Sequence, residues 1–233
     1  MTRRAVFLRT ILLGLIGIVA VVLLIDPPRG IPRALLAVNP VVLLLLLGGV
    51  GALTAQKAGL RSMLILKDPI DRTALVRTAI LAVVLGLAFA LSDHLLSPMW
   101  RADDLADPKT LLEAASLSTL GLGLTYGAIT EEILMRWGLM SGLMLWMMTY
   151  ASRTSAAIIA LSFAALIFAA GHLPALIAGE VALSPALLVR IFAINASLGA
   201  WFGWLYFRNN LETTMIAHAG FHVGAFGMAV LWL

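Results

Sequence analysis

Glu131 and Glu132 stand side by side in an otherwise oily stretch, with Gly127-Ala128-Ile129-Thr130 before them and Ile133-Leu134-Met135-Arg136-Trp137 after. On a helix Arg136 lies one turn from Glu132 and can neutralise it. Glu131 points about 100° away around a helix of 3.6 residues per turn, and positions 127, 128, 134 and 135 offer it no cation. A second carboxylate beside a neutralised one calls for a use, and the histidines supply one. Three of the four lie in the C-terminal apolar half: His172 in Phe168-Ala169-Ala170-Gly171-His172, and the pair in His218-Ala219-Gly220-Phe221-His222. The i, i+4 spacing sends the rings of His218 and His222 from one helix face, which is how a helix offers two imidazoles to one metal or two polar groups to one substrate. A lone histidine between apolar helices is as readily an interhelical hydrogen bond. Three of them with an unpaired carboxylate, on three helices, favour chemistry. A carboxylate and imidazoles in a partly dry cavity form a water-activating site, with Glu131 suited to the role of base. The imidazoles can orient the water, ligate a divalent metal such as zinc, or donate to a developing oxyanion. His94, beside Asp93, is read as interfacial, and Ser141 and Ser197 as small residues at helix contacts. Asn195, Gly199 and Gly203, at i, i+4 and i+8, are read as a close-packing seam.

The elements that position these groups are dictated by composition. Of 233 residues 61% are apolar and 12% charged, against about 25% charged in a soluble domain, and the mean hydropathy is +1.01. Such a chain cannot clothe a soluble globule, which weighs against a soluble enzyme, a disordered chain and a nucleic-acid-binding module. Cysteine is absent, so there is no disulfide, thiolate zinc site or Cys nucleophile. Charge-free runs cover 10–25, 34–56, 78–92, 114–130, 137–152, 154–179, 191–207 and 213–233. They lack the strict alternation of barrel strands, and in hydrocarbon the remaining choice is helix.

The predicted fold is an all-α polytopic transmembrane helix bundle. It has seven spans if 111–152 is one long bent span, and eight if that segment divides. Seven spans put ten Lys and Arg inside, among them Arg3, Lys57, Arg61, Arg153 and Arg208, and five outside. The positive-inside rule therefore favours seven, with a cytoplasmic N-terminus in the plasma or inner membrane. Met1-Thr2-Arg3-Arg4 and the apolar run after it read as an uncleaved signal anchor. Asp26 to Gly30, a basic loop from Lys57 to Arg72 and a mostly acidic loop from Ser97 to Lys109 punctuate the spans.

Three motifs, in order, resemble those of the CPBP intramembrane proteases (the ABI family), which include the type II CAAX prenyl endopeptidases and lysostaphin-resistance-like and bacteriocin-immunity-type proteins. Glu-Glu-x-x-x-Arg appears at Glu131 to Arg136, Phe-x-x-x-His at Phe168 to His172, and His-x-x-x-Asn/Asp at His218 to His222, with His in the last place. The likeness covers about 114–225. It divides the chain into N-terminal helices, 1–110, which share only their apolar character, and a catalytic helical core, 111–233. The resemblance implies that Glu131 is the catalytic base, activating water with His172, and that Glu132 and Arg136 form a supporting ion pair. It implies that His218 and His222 bind a metal or stabilise the oxyanion; a divalent ion such as zinc would draw on His172, His218, His222 and Glu131.

The implied activity is that of a metalloendopeptidase cutting membrane-associated or CAAX-type substrates, with membrane lipid and a peptide or protein as partners and no nucleic acid. Two rivals remain: a non-catalytic scaffold or immunity factor, to which His222 points, and a proton-coupled transporter, for which no inverted repeat speaks. Geometry sets one condition. His172 lies 18 residues beyond Thr154 and His218 about nine beyond Asn209, a depth difference of roughly 13 Å at 1.5 Å per residue. The two meet only if the first helix begins outside the hydrocarbon or tilts strongly.

Overall fold

The computed structural model describes residues 2–27, 30–101 and 108–232, and within them the chain is helical, with no strand. Pro28 and Arg29 of the first expected loop, and 102–107 of the acidic loop, lie outside the described residues. The long helices are α1 (Arg3–Leu24), α2 (Val38–Thr54), α3 (Arg72–Leu95), α4 (117–147), α5 (Arg153–Ala170), α6 (Pro185–Arg208) and α7 (Leu211–Trp232). Among the described residues six helices are long and apolar enough to cross a membrane: α1, α2 with its lead-in from Arg33, α3, α5 with its extension to Ala178, α6 and α7. The 111–152 region, left open between one and two spans, contains α4. This helix runs unbroken from 117 to 147 but opens into π-helical turns over Gly123–Glu131 and Ile133–Met140.

Local sequence sets the helix starts. Side-chain oxygens of Thr2, Asp71, Ser116, Ser152, Ser184 and Asn210 each accept a backbone N–H three residues on. These caps satisfy donors that a helix in lipid cannot leave bare. The exception is α2, entered through a 3-10 turn at Arg33–Ala37. Small residues then let the helices touch. A Cβ at Gly86 on α3 would lie 2.1 Å from the Phe221 carbonyl oxygen, and one at Gly224 on α7 would lie 2.1 Å from that of Val83. N-terminal helices are part of the same bundle: Thr130 Oγ1 on α4 donates to the Gly14 carbonyl on α1 at 2.8 Å, and Trp137 is fully buried against Gly51 of α2. The main core gathers around α4, with Ile133, Trp137, Met140 and Met144 facing Leu44 and Ala160.

The bundle has two unlike ends. At one, the loops 55–71, 148–152 and 209–210 are laced together. Arg61 donates to the carbonyls of Asn209 and Arg208, Arg153 to those of Ala58 and Gly59, and Arg9 to that of Ile65. Glu212, almost fully buried, accepts from Ser62 Oγ and the backbone N–H groups of Met63 and Leu64 at 2.6, 2.8 and 3.0 Å. At the other end lie the described segments 25–27, 30–37, 96–101, 108–116 and 171–184. There Arg190 of α6 grips Asp93 of α3 through both carboxylate oxygens, and Asp93 also accepts the Leu111 N–H.

Candidate functional site

The helix α4 turns its two adjacent carboxylates to different surroundings. Glu132 points inward and is fully buried. Its Oε1 lies 3.1 Å from Arg136 Nη1 and accepts His218 Nδ1–H at 2.8 Å; Oε2 has no hydrogen-bond partner among the described residues. Arg136 is fixed in turn. Nη2 donates to the Gly199 carbonyl at 3.1 Å, and the guanidinium carbon lies 5.0 Å from the Phe168 ring centroid and 5.3 Å from that of Phe202, within cation–π range. The i, i+4 pair read from the sequence therefore forms and does more than neutralise itself. Glu132 also binds His218 from another helix, and this hydrogen bond commits Nδ1 as donor and leaves Nε2 as the free ring nitrogen.

That free nitrogen lies against α4. A Cβ on Gly127 would be 3.1 Å from His218 Nε2 and 3.3 Å from His222 Nε2, and one on Gly123 would be 2.4 Å from His222 Cγ. Two glycines one turn apart thus make room for two imidazoles beside the helix backbone. The rings of His218 and His222 stack with centroids 5.1 Å apart at 17°, and Phe202 stacks on the other neighbour, His218, at 4.9 Å. His172 stands just past the end of α5. Its Nδ1 donates to the Phe168 carbonyl at 2.8 Å, again leaving Nε2 free, and the Phe168 ring bridges it to His218 with centroid distances of 4.9 and 6.0 Å.

Glu131 has no hydrogen bond or ion pair to a side chain among the described residues. With His172, His218 and His222 it lines a single cavity of about 470 Å³. The four groups singled out in the sequence therefore share one space. The depth problem resolves at the helix starts. Arg153 to Ser155 at the beginning of α5 are exposed, whereas Leu211 to Thr214 at the beginning of α7 are buried beneath the 55–68 loop. The first helix begins farther out, so a residue near its far end reaches the level of one in the second or third turn of α7.

Sequence reasoning missed part of the wall. Asn195 belongs to the cavity, with Nδ2 donating to the Ile191 carbonyl at 2.9 Å. Only Gly199 and Gly203 form the expected seam, against Ala165 and Leu161 of α5. Asn195 carried a signal, as an amide one turn before a small-residue contact, but the seam absorbed it. Tyr126 and Arg190 also line the cavity. The tie of Arg190 to Asp93 spans 97 positions, which no local pattern reveals. A second cavity of about 660 Å³, almost wholly apolar, runs beside the first between α3 and α6 and shares Arg190 and Ile194 with it. His94 proves peripheral, its ring edge-on to Trp232 at 5.4 Å.

The free imidazole nitrogens and Glu131 are of the chemical type that holds zinc. Among the described residues, however, no three His, Asp or Glu side chains are arranged to hold one ion. The site as built does not fit a metal cage, and no step below passes through one.

Fold and site together define a polytopic helical membrane protein with a carboxylate–histidine pocket sunk among its helices. Residues 113–224 match the family described as type II CAAX prenyl endopeptidase Rce1-like. That segment, just under half of the chain, contains every site residue read from the sequence, and through it the chain is similar to the Rce1-like family. No curated protein and no solved structure matches the chain.

Proposed function

We propose that this protein is an endopeptidase that hydrolyses peptide bonds of membrane-associated substrates within the α4–α5–α6–α7 cavity. The observation that carries the reading is the sharing of one largely apolar cavity by an unpartnered Glu131 and three imidazoles. Such groups are costly at membrane depth and mark function there. Glu131 takes a proton from a water held between it and His172 Nε2, and the hydroxide adds to the scissile carbonyl carbon. Charge develops on the carbonyl oxygen, where the imidazoles of His218 and His222 are the available donors when protonated. The C–N bond then breaks as the proton held by Glu131 passes to the leaving amine, which restores the carboxylate. Glu132 and Arg136 are positioning residues, setting the ring of His218 through its Nδ1–H.

In this reading α4 also crosses the membrane, which brings the spans to seven, and the N-terminus is cytoplasmic. The test is cleavage of a membrane-anchored reporter by purified protein in proteoliposomes. Wild type cleaves, and Glu131→Ala and His172→Ala lose at least about a hundredfold in rate, the low end for removing a general base. Cleavage by both variants at the wild-type rate sinks the assignment. A Glu131→Gln variant that keeps the full cellular phenotype favours the non-catalytic scaffold instead.

A further inference from the structure

We infer that Tyr126 is a further catalytic residue, whose phenol hydroxyl donates a hydrogen bond to the oxyanion formed when water adds to the scissile carbonyl. The inference rests on the hydrolytic reading for its reaction, and on the local shape of α4 for the choice of residue.

The cavity is a well. Its mouth is at the end of the bundle that holds 96–101, 108–116 and 171–184, where Thr119 and Ala175 are exposed. Its floor is Phe202 and His218, both buried, and the loops 55–71, 148–152 and 209–210 add nothing to the lining, so the basic end is closed. Down one wall runs α4, with Thr119 at the mouth, then Leu122 and Gly123, then Tyr126 and Gly127, then Glu131. In a regular α-helix Tyr126 and Glu131, five residues apart, would point about 140° away from each other. Gly123–Glu131 is π-helical instead, and i→i+5 bonding sets residues five apart nearly above one another. The wide turns therefore bring a phenol onto the face of the base, and the charge of Glu131 acts on the Tyr126 hydroxyl. Gly127, the next residue, is the one against which Nε2 of both His218 and His222 lie, so Tyr126 stands at the level of the imidazoles. Behind it α1 holds the backbone in place, since a Cβ on Gly17 would lie 2.5 Å from Tyr126 Cα.

Such a site needs a donor that works without a charge. His218 gives its Nδ1–H to Glu132, and His172 gives its own to the Phe168 carbonyl, so Nε2 of each ring is an acceptor while the ring is neutral. Either becomes a donor there only as a cation, in a largely apolar cavity where an unpaired charge is costly. The Tyr126 hydroxyl has no hydrogen-bond partner among the described residues, and a phenol keeps its proton at neutral pH. Asn195 is a second neutral donor, but it stands across the cavity on α6 with its Nδ2 already bonded to the Ile191 carbonyl. When hydroxide adds to the carbonyl carbon, the Tyr126 O–H meets a full negative charge, and a bond to an ionised acceptor is about twice as strong as one to a neutral carbonyl. Stabilisation therefore grows along the reaction, which is what accelerates it. Tyr126 keeps its proton throughout. As the C–N bond breaks and the carbonyl re-forms, this hydrogen bond weakens again, and the proton transfers remain those of Glu131.

Tyr126→Phe deletes the hydroxyl and keeps the ring. In proteoliposomes carrying the membrane-anchored reporter it should lower kcat about a hundredfold, as removal of one oxyanion donor does, and leave KM unchanged. Two inhibitors built on the reporter's own cleavage sequence separate chemistry from packing: a peptide aldehyde, whose hydrate carries the tetrahedral carbon and its oxygens, and the matching alcohol, which does not. The aldehyde should inhibit Tyr126→Phe more weakly than wild type by about the factor lost from kcat/KM, while the alcohol inhibits both equally. A wild-type kcat in Tyr126→Phe, a loss confined to KM, or equal weakening of aldehyde and alcohol overturns the inference. Glu131→Ala is measured alongside. If it is inactive while Tyr126→Phe matches wild type, the role of Tyr126 fails and the hydrolase stands. If Glu131→Ala cleaves as fast as wild type, or wild type does not cleave, the hydrolytic reading itself fails and takes this inference with it.

Discussion

The two ends of this bundle solve the same problem, carboxylates sunk in an apolar structure, in opposite ways. At the basic end Glu212 is surrounded by donors, Ser62 Oγ and two backbone N–H groups, and serves to pin the 55–68 loop onto the start of α7. In the well that opens at the other end, Glu131 has no such partner and looks into a cavity. Between them Glu132 is intermediate, with one oxygen shared by Arg136 and His218 and the other bare. Burial alone does not identify a reactive carboxylate, because a satisfied one is structural. What distinguishes Glu131 is spare hydrogen-bonding capacity facing a cavity.

Breaking that contrast should give effects of different kind as well as size. Glu131→Gln changes one atom and removes the base, so the rate should fall by about 10² or more while thermal stability in detergent stays within about 0.5 kcal/mol, as for a substitution that breaks no contact. A stability loss matching the activity loss would place Glu131 in the same structural class as Glu212. Glu132→Ala should cost about 3–5 kcal/mol, since it leaves Arg136 charged, buried and without its anion. The double variant Glu132→Ala/Arg136→Met removes the stranded charge. It should recover most of the stability and none of the activity, because His218 still lacks its anchor. Recovery of both by the double variant would mean that His218 needs no orienting. Glu212→Ala strands three donors and should cost about 1–3 kcal/mol in unfolding free energy, with the surviving folded fraction still cleaving reporter at the wild-type rate.

The site was more legible in the sequence than its frame. Glu131, His172, His218 and His222 stood out because ionisable groups are rare in apolar helices, and that rarity does not depend on knowing the fold. The helices themselves were recognised from charge-free runs, which measure the stretch in hydrocarbon and miss the hydrogen-bonded ends. The run 78–92 became Arg72–Leu95 and 191–207 became Pro185–Arg208, because long basic side chains can leave a helix end toward polar surroundings while the backbone stays helical. What stayed hidden is whatever depends on two distant segments meeting. The hydrogen bond from His218 to Glu132 spans 86 positions and the capture of the 55–68 loop by Glu212 spans about 150. The π-helical turns of α4 were also invisible, since they follow i→i+5 bonding that leaves no mark in composition. Asn195 was misread because its i+4 neighbour, Gly199, does pack as a seam, and a helix face one residue wide can serve both wall and contact.

Sharpening the comparison at the mouth needs a smaller lever. Gly123→Ala on α4 introduces a Cβ 2.4 Å from the ring of His222, so the imidazole must swing into the cavity or α7 must shift. Overpacking of this kind costs about 1–3 kcal/mol. We expect the loss mainly in kcat, about tenfold, with the Glu132–His218 bond preserved. Gly142→Ala is the control on the same helix, where the Cβ would meet only the flexible Val50 side chain at 2.8 Å. Equal damage from both would mean that α4 tolerates no added bulk anywhere, and would remove the case for a specific fit between Gly123 and His222.

The smallest expected effect concerns how the mouth end is held. Glu113, in the segment before α4, accepts from Arg101 and from the Thr110 N–H, and these bonds lower its carboxyl from 4.5 to about 2. A carboxyl lowered on folding contributes stability that is complete above its unfolded value and is lost as pH falls from about 4.5 toward 2. The pair is partly open to solvent, with the two side chains 27% and 38% exposed, so its worth is that of a surface pair, about 0.2–1 kcal/mol. Melting in detergent at pH 6 and pH 3 should therefore show wild type losing slightly more stability than Glu113→Gln, which has no proton to gain. At the closed end Lys57 adjoins Ala58 and Gly59, whose backbone carbonyls are held by Arg153, and those acceptors do not titrate. A cysteine label at Lys57 should accordingly keep the same accessibility across that pH range, while one at Ser118, five residues from Glu113, becomes more reactive at pH 3 once the intrinsic thiol rate is divided out. If the Glu113→Gln difference vanishes, or Lys57 and Ser118 respond alike, the mouth end is no looser than the closed one and the asymmetry is one of charge alone.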